Sequence, residues 1–288
     1  MKTQLPALEA GRLSYSYGRS RALRGVDLLL PQGRIYGLLG KNGAGKTTLL
    51  NLVSAAMPVR KGDLYLFGQK PFENQEVLRH LCYIREKNMY PTGARAAHVL
   101  AAARAAYPAW DDEYAAHLME AFGLDKKKRC RQLSRGMESA LGLVVGLASR
   151  CELTLFDEPS LGLDAVAREQ FYMELRKDQR EHPRTFIVST HLIDEGAELF
   201  DDAVVMDQGR VLVHENAREL VASHAVLVGR EEDFALCKGC RVIAKGVTAE
   251  GEPMRVVRKG AGFDAGAAQE RPISLQKLFV YLTEGGEE

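Results

Sequence analysis

The sequence predicts an α/β fold: a core of buried strands and helices with an antiparallel β side sheet, an α-helical subdomain and a small C-terminal αβ appendage. Three observations predict it. Ile35-Tyr36-Gly37-Leu38-Leu39 is a short apolar run, the mark of a buried strand. A glycine-rich octapeptide follows, and then Thr48-Leu49-Leu50-Asn51-Leu52-Val53, apolar at helical spacing. Leu153-Thr154-Leu155-Phe156-Asp157-Glu158 is a second apolar strand, closed by two carboxylates. Residues 95–123 are alanine-rich and helical, unlike the strand-and-turn pattern of residues 62–84.

Residues 6–32 alternate strand-like segments and turns. Residues 62–84 do likewise, and Gly62-Asp63-Leu64-Tyr65-Leu66-Phe67-Gly68 reads as a strand closed by glycine. Both regions are expected in the side sheet. Between them, residues 40–47 read Gly-Lys-Asn-Gly-Ala-Gly-Lys-Thr and fit G-x-x-x-x-G-K-[ST], the P-loop pattern. Strand, glycine loop and helix are the context this motif requires, so the core is read as a P-loop NTPase. Gly40, Gly43 and Gly45 let the backbone turn tightly and aim its N–H groups at a polyphosphate. The helix N-terminus adds positive partial charge. Lys46 can reach the β- and γ-phosphates, and the Thr47 hydroxyl can ligate Mg²⁺. Asn42, Ala44 and Thr48 complete the expected nucleotide contacts.

The helical region divides at Pro108 into Ala96 to Tyr107 and Asp111 to Phe122, with Asp111-Asp112 in the second helix's first turn. Leu133-Ser134-Arg135-Gly136-Met137 then begins a long apolar helix, through about residue 149. Ser134 is its natural N-cap, and Gly136 lets a ligand approach the first turn. In the strand that follows, Asp157 suits a direct or water-mediated Mg²⁺ contact. Glu158 is expected to point differently, because successive strand residues alternate faces, and to polarise an attacking water. Read alone, this acid pair before Pro159 is a helix cap; the P-loop favours the metal-and-water reading. Arg168 to Glu181 is a charged amphipathic helix. Thr185 to Val188 is strand-like, and Ala203 to Asp207 and Arg210 to Val213 form a hairpin around Gln208-Gly209.

Taken together, these motifs resemble the ATP-binding cassette (ABC) ATPases over roughly residues 5–215. Leu133 to Met137 resembles the signature motif, usually LSGGQ; Ser160-Leu161-Gly162-Leu163-Asp164 resembles the D-loop; Ser189-Thr190-His191 resembles the segment carrying the switch histidine. The resemblance implies that His191 senses the γ-phosphate, that Asp164 lies near the nucleotide, and that Tyr17 stacks on adenine. It also implies that Ser134 and Gly136 serve the nucleotide of an opposite copy. More narrowly, the variant signature and residues 189–195 resemble the YtrB-type exporter ATPases of Gram-positive bacteria. Three departures stand out. Arg135 replaces a glycine and Met137 a glutamine of the signature, and Glu86, after the strand Leu81-Cys82-Tyr83-Ile84, stands where the Q-loop glutamine is usual. A glutamate there is expected still to face Mg²⁺ or its water.

At 288 residues the chain suits one large domain, residues 1–217 with a helical subdomain at about 87–135, and a small appendage at 218–288. In the appendage, Ala225 to Val228, Arg241 to Lys245 and Met254 to Lys259 are strand candidates. Ile273 to Thr283 is a closing helix with Leu275, Leu278, Phe279 and Leu282 on one face. A net charge of +1 offers no field for nucleic acid, and Lys126-Lys127-Lys128-Arg129 reads as a solvated turn. There is neither a signal-peptide h-region nor an apolar run long enough to span a membrane. Five cysteines suit a reducing compartment, and Cys237-Lys238-Gly239-Cys240 reads as reduced thiols in a turn.

The resemblance therefore implies an ATP- and Mg²⁺-using ATPase subunit that energises an exporter by head-to-tail dimerisation. Its expected place is the cytoplasm, peripheral on the inner face of the cell membrane through separate transmembrane permease subunits. Its ATPase partner is a second copy or a related chain. The alternative is a soluble ABC ATPase acting on ribosomes or DNA; those types fuse two cassettes or insert coiled coils, and neither feature is seen. A P-loop kinase or GTPase explains Lys46 but not the other motifs.

Overall fold

The computed structural model of the protein describes residues 5–86, 90–91 and 93–284. The start of the expected helical subdomain, at 87–89, and both ends of the expected domain ranges lie outside them. Two long strands open the chain, β1 (Leu8–Tyr17) and β2 (Ser20–Leu30), paired antiparallel. Next come β3 (Ile35–Leu39), α1 (Lys46–Val53), β4 (Lys61–Tyr65), the single turn α2 (Gln75–Leu78) and β5 (Leu81–Ile84). β4 joins β1 antiparallel, so the side sheet runs β2-β1-β4. β5 does not belong to it, contrary to the expectation for residues 62–84. Leu81, Cys82 and Ile84 are all buried, an apolar run without alternation, and such a strand fits a parallel sheet covered on both faces.

The helical region contributes α3 (Ala96–Ala106) and α4 (Asp112–Ala121), whose cap Asp111 accepts from the Tyr114 N–H at 2.8 Å. After a 3-10 turn comes α5 (Arg135–Ala148), capped as expected by Ser134, whose Oγ accepts from the Met137 N–H. α5 packs closely on the central sheet. A Cβ at Gly146 would lie 2.5 Å from the Phe156 ring, so only glycine permits this approach.

The rest of the core is β6 (Leu153–Asp157), α6 (Ala165–Glu181), β7 (Thr185–Thr190), the short α7 (Ile193–Gly196), β8 (Asp202–Asp207) and β9 (Arg210–Asn216). The central sheet has the order β5-β6-β7-β3-β8-β9, parallel except for the β8–β9 hairpin. The hairpin turn has positive φ at both Gln208 and Gly209, which matches a type I′ turn. Beneath the sheet, Arg184 is buried. It bonds Asp178, the carbonyls of Leu147 and Cys151, and Thr154 Oγ1, while Asp178 also takes Arg150.

The chain closes with α8 (Ala217–Ala222), β10 (His224–Val228), α9 (Glu231–Ala235), β11 (Lys238–Val247), β12 (Pro253–Asp264), β13 (Gln269–Arg271) and α10 (Leu275–Glu284). The four strands form one antiparallel sheet, β11-β12-β10-β13. α10 contacts α7 and α8, and Leu275, Leu278 and Phe279 share one buried cluster with Ile193, Leu199 and Leu220. The appendage thus packs on the core of its own chain. Cys237 and Cys240 are free, and the Cys237 thiol donates to the Ala265 carbonyl.

Candidate active site

The glycine loop leaves the C-terminal end of β3 and enters α1. Gly43 and Gly45 take φ of 84° and 107°, conformations that disfavour a side chain. The loop is also held from behind. A Cβ on Gly45 would lie 2.7 Å from the Ala22 carbonyl oxygen, and one on Gly40 would lie 2.8 Å from that of Met206. Gly209 donates its N–H to the Ala44 carbonyl. The side sheet and the β8–β9 turn therefore form the bed of the loop. Ala44 is buried, and its N–H bonds the Lys41 carbonyl at 3.0 Å; Thr48 is buried, while Asn42 and Thr47 are exposed.

Lys46 is 6% exposed, and its Nζ donates to the Gly40 carbonyl at 2.6 Å. The same ammonium lies 3.6 Å from Oε1 of Glu158. That oxygen is buried and accepts no hydrogen bond from the described residues. The other oxygen of Glu158 meets His191 Nδ1 at 2.8 Å. Three predicted site residues from three separate segments therefore meet at one carboxylate. Glu158 does point away from Asp157, but strand alternation is not the cause. β6 ends at Asp157, and Glu158 takes a left-handed φ of 51°, its N–H bonded to the Ser189 carbonyl.

Asp157 is buried beside this group. Its two oxygens accept from Ser189 Oγ at 2.7 Å and from Tyr83 Oη at 3.2 Å. Burial and the Asp157 charge both push the Tyr83 phenol well above its ordinary pKa, so it stays a donor. These two supports were not singled out in the sequence. Ser189 lies opposite Asp157 in the β6–β7 pairing, and Tyr83 is on the neighbouring strand β5. Tyr83 had only the signal of a polar group on an otherwise apolar strand, and Ser189 stood in the Ser189-Thr190-His191 segment without a role of its own.

A second set of predicted residues gathers at the start of α5. Gly136 faces the D-loop-like turn, where a Cβ would lie 2.6 Å from the Gly162 carbonyl oxygen. Ser139 Oγ donates to the Leu161 carbonyl at 2.9 Å. Asp164 caps α6 by accepting from the Ala167 N–H. Glu86 pairs with Arg135, at 3.6 Å. Tyr17 ends β1 with half of its surface exposed, its ring edge against Tyr15 and its hydroxyl 3.3 Å from Met57 Sδ.

The residues present fit a polyphosphate: a glycine cradle, a buried ammonium at its mouth and a helix N-terminus behind it. Asp157 and Thr47 are oxygen donors of the hard type that Mg²⁺ takes.

A family model for ABC transporters matches residues 23–161. The chain is 29% identical over 188 residues to the ABC transporter ATP-binding protein YtrB of Bacillus subtilis (strain 168), covering 65% of this chain and 64% of that one. It is 32% identical over 219 residues to the bacitracin transport ATP-binding protein BcrA of Enterococcus faecalis, covering 74% and 70%. Among solved structures, an ATP-binding subunit of an ABC transporter superposes with a TM-score of 0.68 at 24% identity, covering 75% of this chain and 92% of that one.

Proposed function

This chain belongs to the ATP-binding proteins of the ABC transporter family, and from that premise we propose that it hydrolyses ATP to energise a membrane transporter, an exporter by the resemblance of residues 133–137 and 189–195 to exporter ATPases. The observation that carries the chemistry is the Glu158 carboxylate between Lys46 and His191. A base that must polarise water near a γ-phosphate needs a fixed direction and a free oxygen. His191 fixes one oxygen of Glu158, and the other faces Lys46. When nucleotide enters, Lys46 turns to the β/γ-phosphates and leaves Oε1 free for water.

The glycine loop holds the phosphates through its N–H groups, and Tyr17 supplies an aromatic face for adenine. Mg²⁺, when bound, would neutralise phosphate charge; Thr47 and Asp157 would hold it, with Tyr83 and Ser189 fixing Asp157. Ser134 and Gly136 would face the nucleotide of an opposite copy, so each ATP would be closed between two chains. No helix among the described residues is long and apolar enough to cross a membrane. By the family resemblance, the transported molecule would pass through separate transmembrane permease subunits, with this chain against their inner face. Whether the opposite copy is identical or related leaves the chemistry unchanged.

Glu158→Gln tests this reading. The variant is expected to bind ATP, to turn over at least about 10²-fold more slowly, the usual worth of a general base, and to accumulate as an ATP-bound dimer on size exclusion. Normal turnover would remove Glu158 from the chemistry.

A further inference from the structure

Two charges of this site depart from the pattern that the chain otherwise follows, and they meet. Arg135 is the first residue of α5, directly after Ser134, and Glu86 lies just beyond β5. Arg135 Nη2 and Glu86 Oε1 are 3.6 Å apart.

Three physical points make this contact more than a surface accident. A cation at the first position of a helix stands at the wrong end of the helix dipole. Glu86 supplies there the carboxylate that a helix N-terminus favours. Second, the Arg135 stem has a neighbour that guides it. Its stem lies along Gly162, where a Cβ would be 3.0 Å from Arg135 Cγ and 3.4 Å from Cδ. Gly162 itself has a φ of 87°. The D-loop-like turn thus fixes the path of the side chain, in the way long charged residues lay their stems on a surface and present their heads. Third, the next turn of α5 is anchored to that turn by Ser139 Oγ on the Leu161 carbonyl. Arg135 therefore joins three segments: the end of β5, the turn at 160–164 and the start of α5. The pair is more than one-third exposed on both sides, so it contributes little to stability. Its effect is on orientation and local charge.

We propose that Glu86 and Arg135 are a positioning pair for ATP hydrolysis: Glu86 acts through Arg135, setting the first turn of α5 and its Ser134–Gly136 against β5, and is not a metal ligand. This rests on the reading of the chain as an ATPase. Arg135 also offsets the Glu86 charge at the start of α5.

The test compares the steady-state ATPase kinetics of the full chain with Glu86→Gln, Arg135→Gln, the double variant and Arg135→Lys. KM for ATP and the Mg²⁺ concentration giving half-maximal rate are read for each. The expected result is a fall of about tenfold in kcat for each single change, one factor of 1.4 kcal/mol in barrier. KM and the Mg²⁺ midpoint stay within about twofold, and the double variant is no slower than the slower single. Arg135→Lys recovers most of the rate, because a cation within reach of Glu86 is kept. Losses that multiply in the double variant would overturn the pair. A Mg²⁺ midpoint that moves in Glu86→Gln but not in Arg135→Gln would overturn it differently, by placing Glu86 on the metal. Both outcomes leave the ATPase reading intact. An unmodified chain that neither binds nor hydrolyses ATP sinks that reading, and the pair with it.

Discussion

Glu158 owes its place to a single backbone angle. With φ at 51° it leaves the strand direction one residue after Asp157, which puts two adjacent carboxylates to separate uses. Asp157 is held by Ser189 and Tyr83, and Glu158 by His191 and Lys46. A left-handed non-glycine residue is strained, and such strain gathers at functional sites. The Lys46 ammonium is the only cation within ion-pair distance of Glu158 among the described residues, apart from the His191 ring. Lys46→Ala is therefore expected to cost more than a phosphate contact, since it also leaves a nearly buried carboxylate short of its counter-charge. ATP affinity should fall or, if binding survives, turnover should vanish; titration with a fluorescent ATP analogue and a phosphate-release assay separate the two. Turnover at the unmodified rate would remove Lys46 from the site.

Among the elements, those with a strong local signal are legible in the sequence. The glycine loop, α1, the Ser134 cap of α5 and the Gln208-Gly209 hairpin each carry their own chemistry in consecutive residues. β5 was misplaced because its pairing with β6 joins segments far apart in sequence, so nothing near Leu81–Ile84 names its partner. Tyr83 and Ser189 went unread for the same reason: each meets Asp157 only through strand register. β13 and α9 are three and five residues long, too short for a periodicity to declare them. The Arg184 network was invisible too, although it ties α5, β6 and α6 together. Burial pulls the Arg184 pKa down to about 10, with the charge of Arg150 acting in the same direction. Arg184→Met would keep the volume and remove every donor. Asp178 would retain Arg150, but the Leu147 and Cys151 carbonyls would each lose a partner. The expected loss is about 3 kcal/mol in urea unfolding, at the low end for a broken buried ion pair. A change under about 1 kcal/mol, as at a surface pair, would show that the network contributes nothing beyond packing.

At the scale of the whole molecule, the residues proposed for catalysis are gathered but the site is one-sided. Lys46, Glu158 and His191 converge, while Ser134 and Gly136 belong to the other group, backed by their own D-loop-like turn. The carboxy-terminal helix adds a tie to the same face, with Glu284 3.2 Å from Lys41 of the glycine loop. Two chains arranged head to tail would bring the Ser134 turn of each to the glycine loop of the other. Ser134→Arg should then spare ATP binding by the isolated chain and abolish hydrolysis. Mixing it with Lys46→Ala discriminates further, if the opposite copy is identical. In a mixed dimer both lesions fall in one composite site, and the other site keeps an intact Lys46 and an intact Ser134. Each variant alone should be inactive, and the mixture should regain a fraction of the unmodified rate that grows with the share of mixed dimers. A mixture as inactive as its components, with mixed dimers verified by differential tagging, would mean that the two sites cannot fire singly or that Ser134 serves its own chain. Weak ATP binding by the Ser134→Arg monomer would choose the second explanation, since a residue that acts on the opposite nucleotide cannot affect binding before the two chains meet.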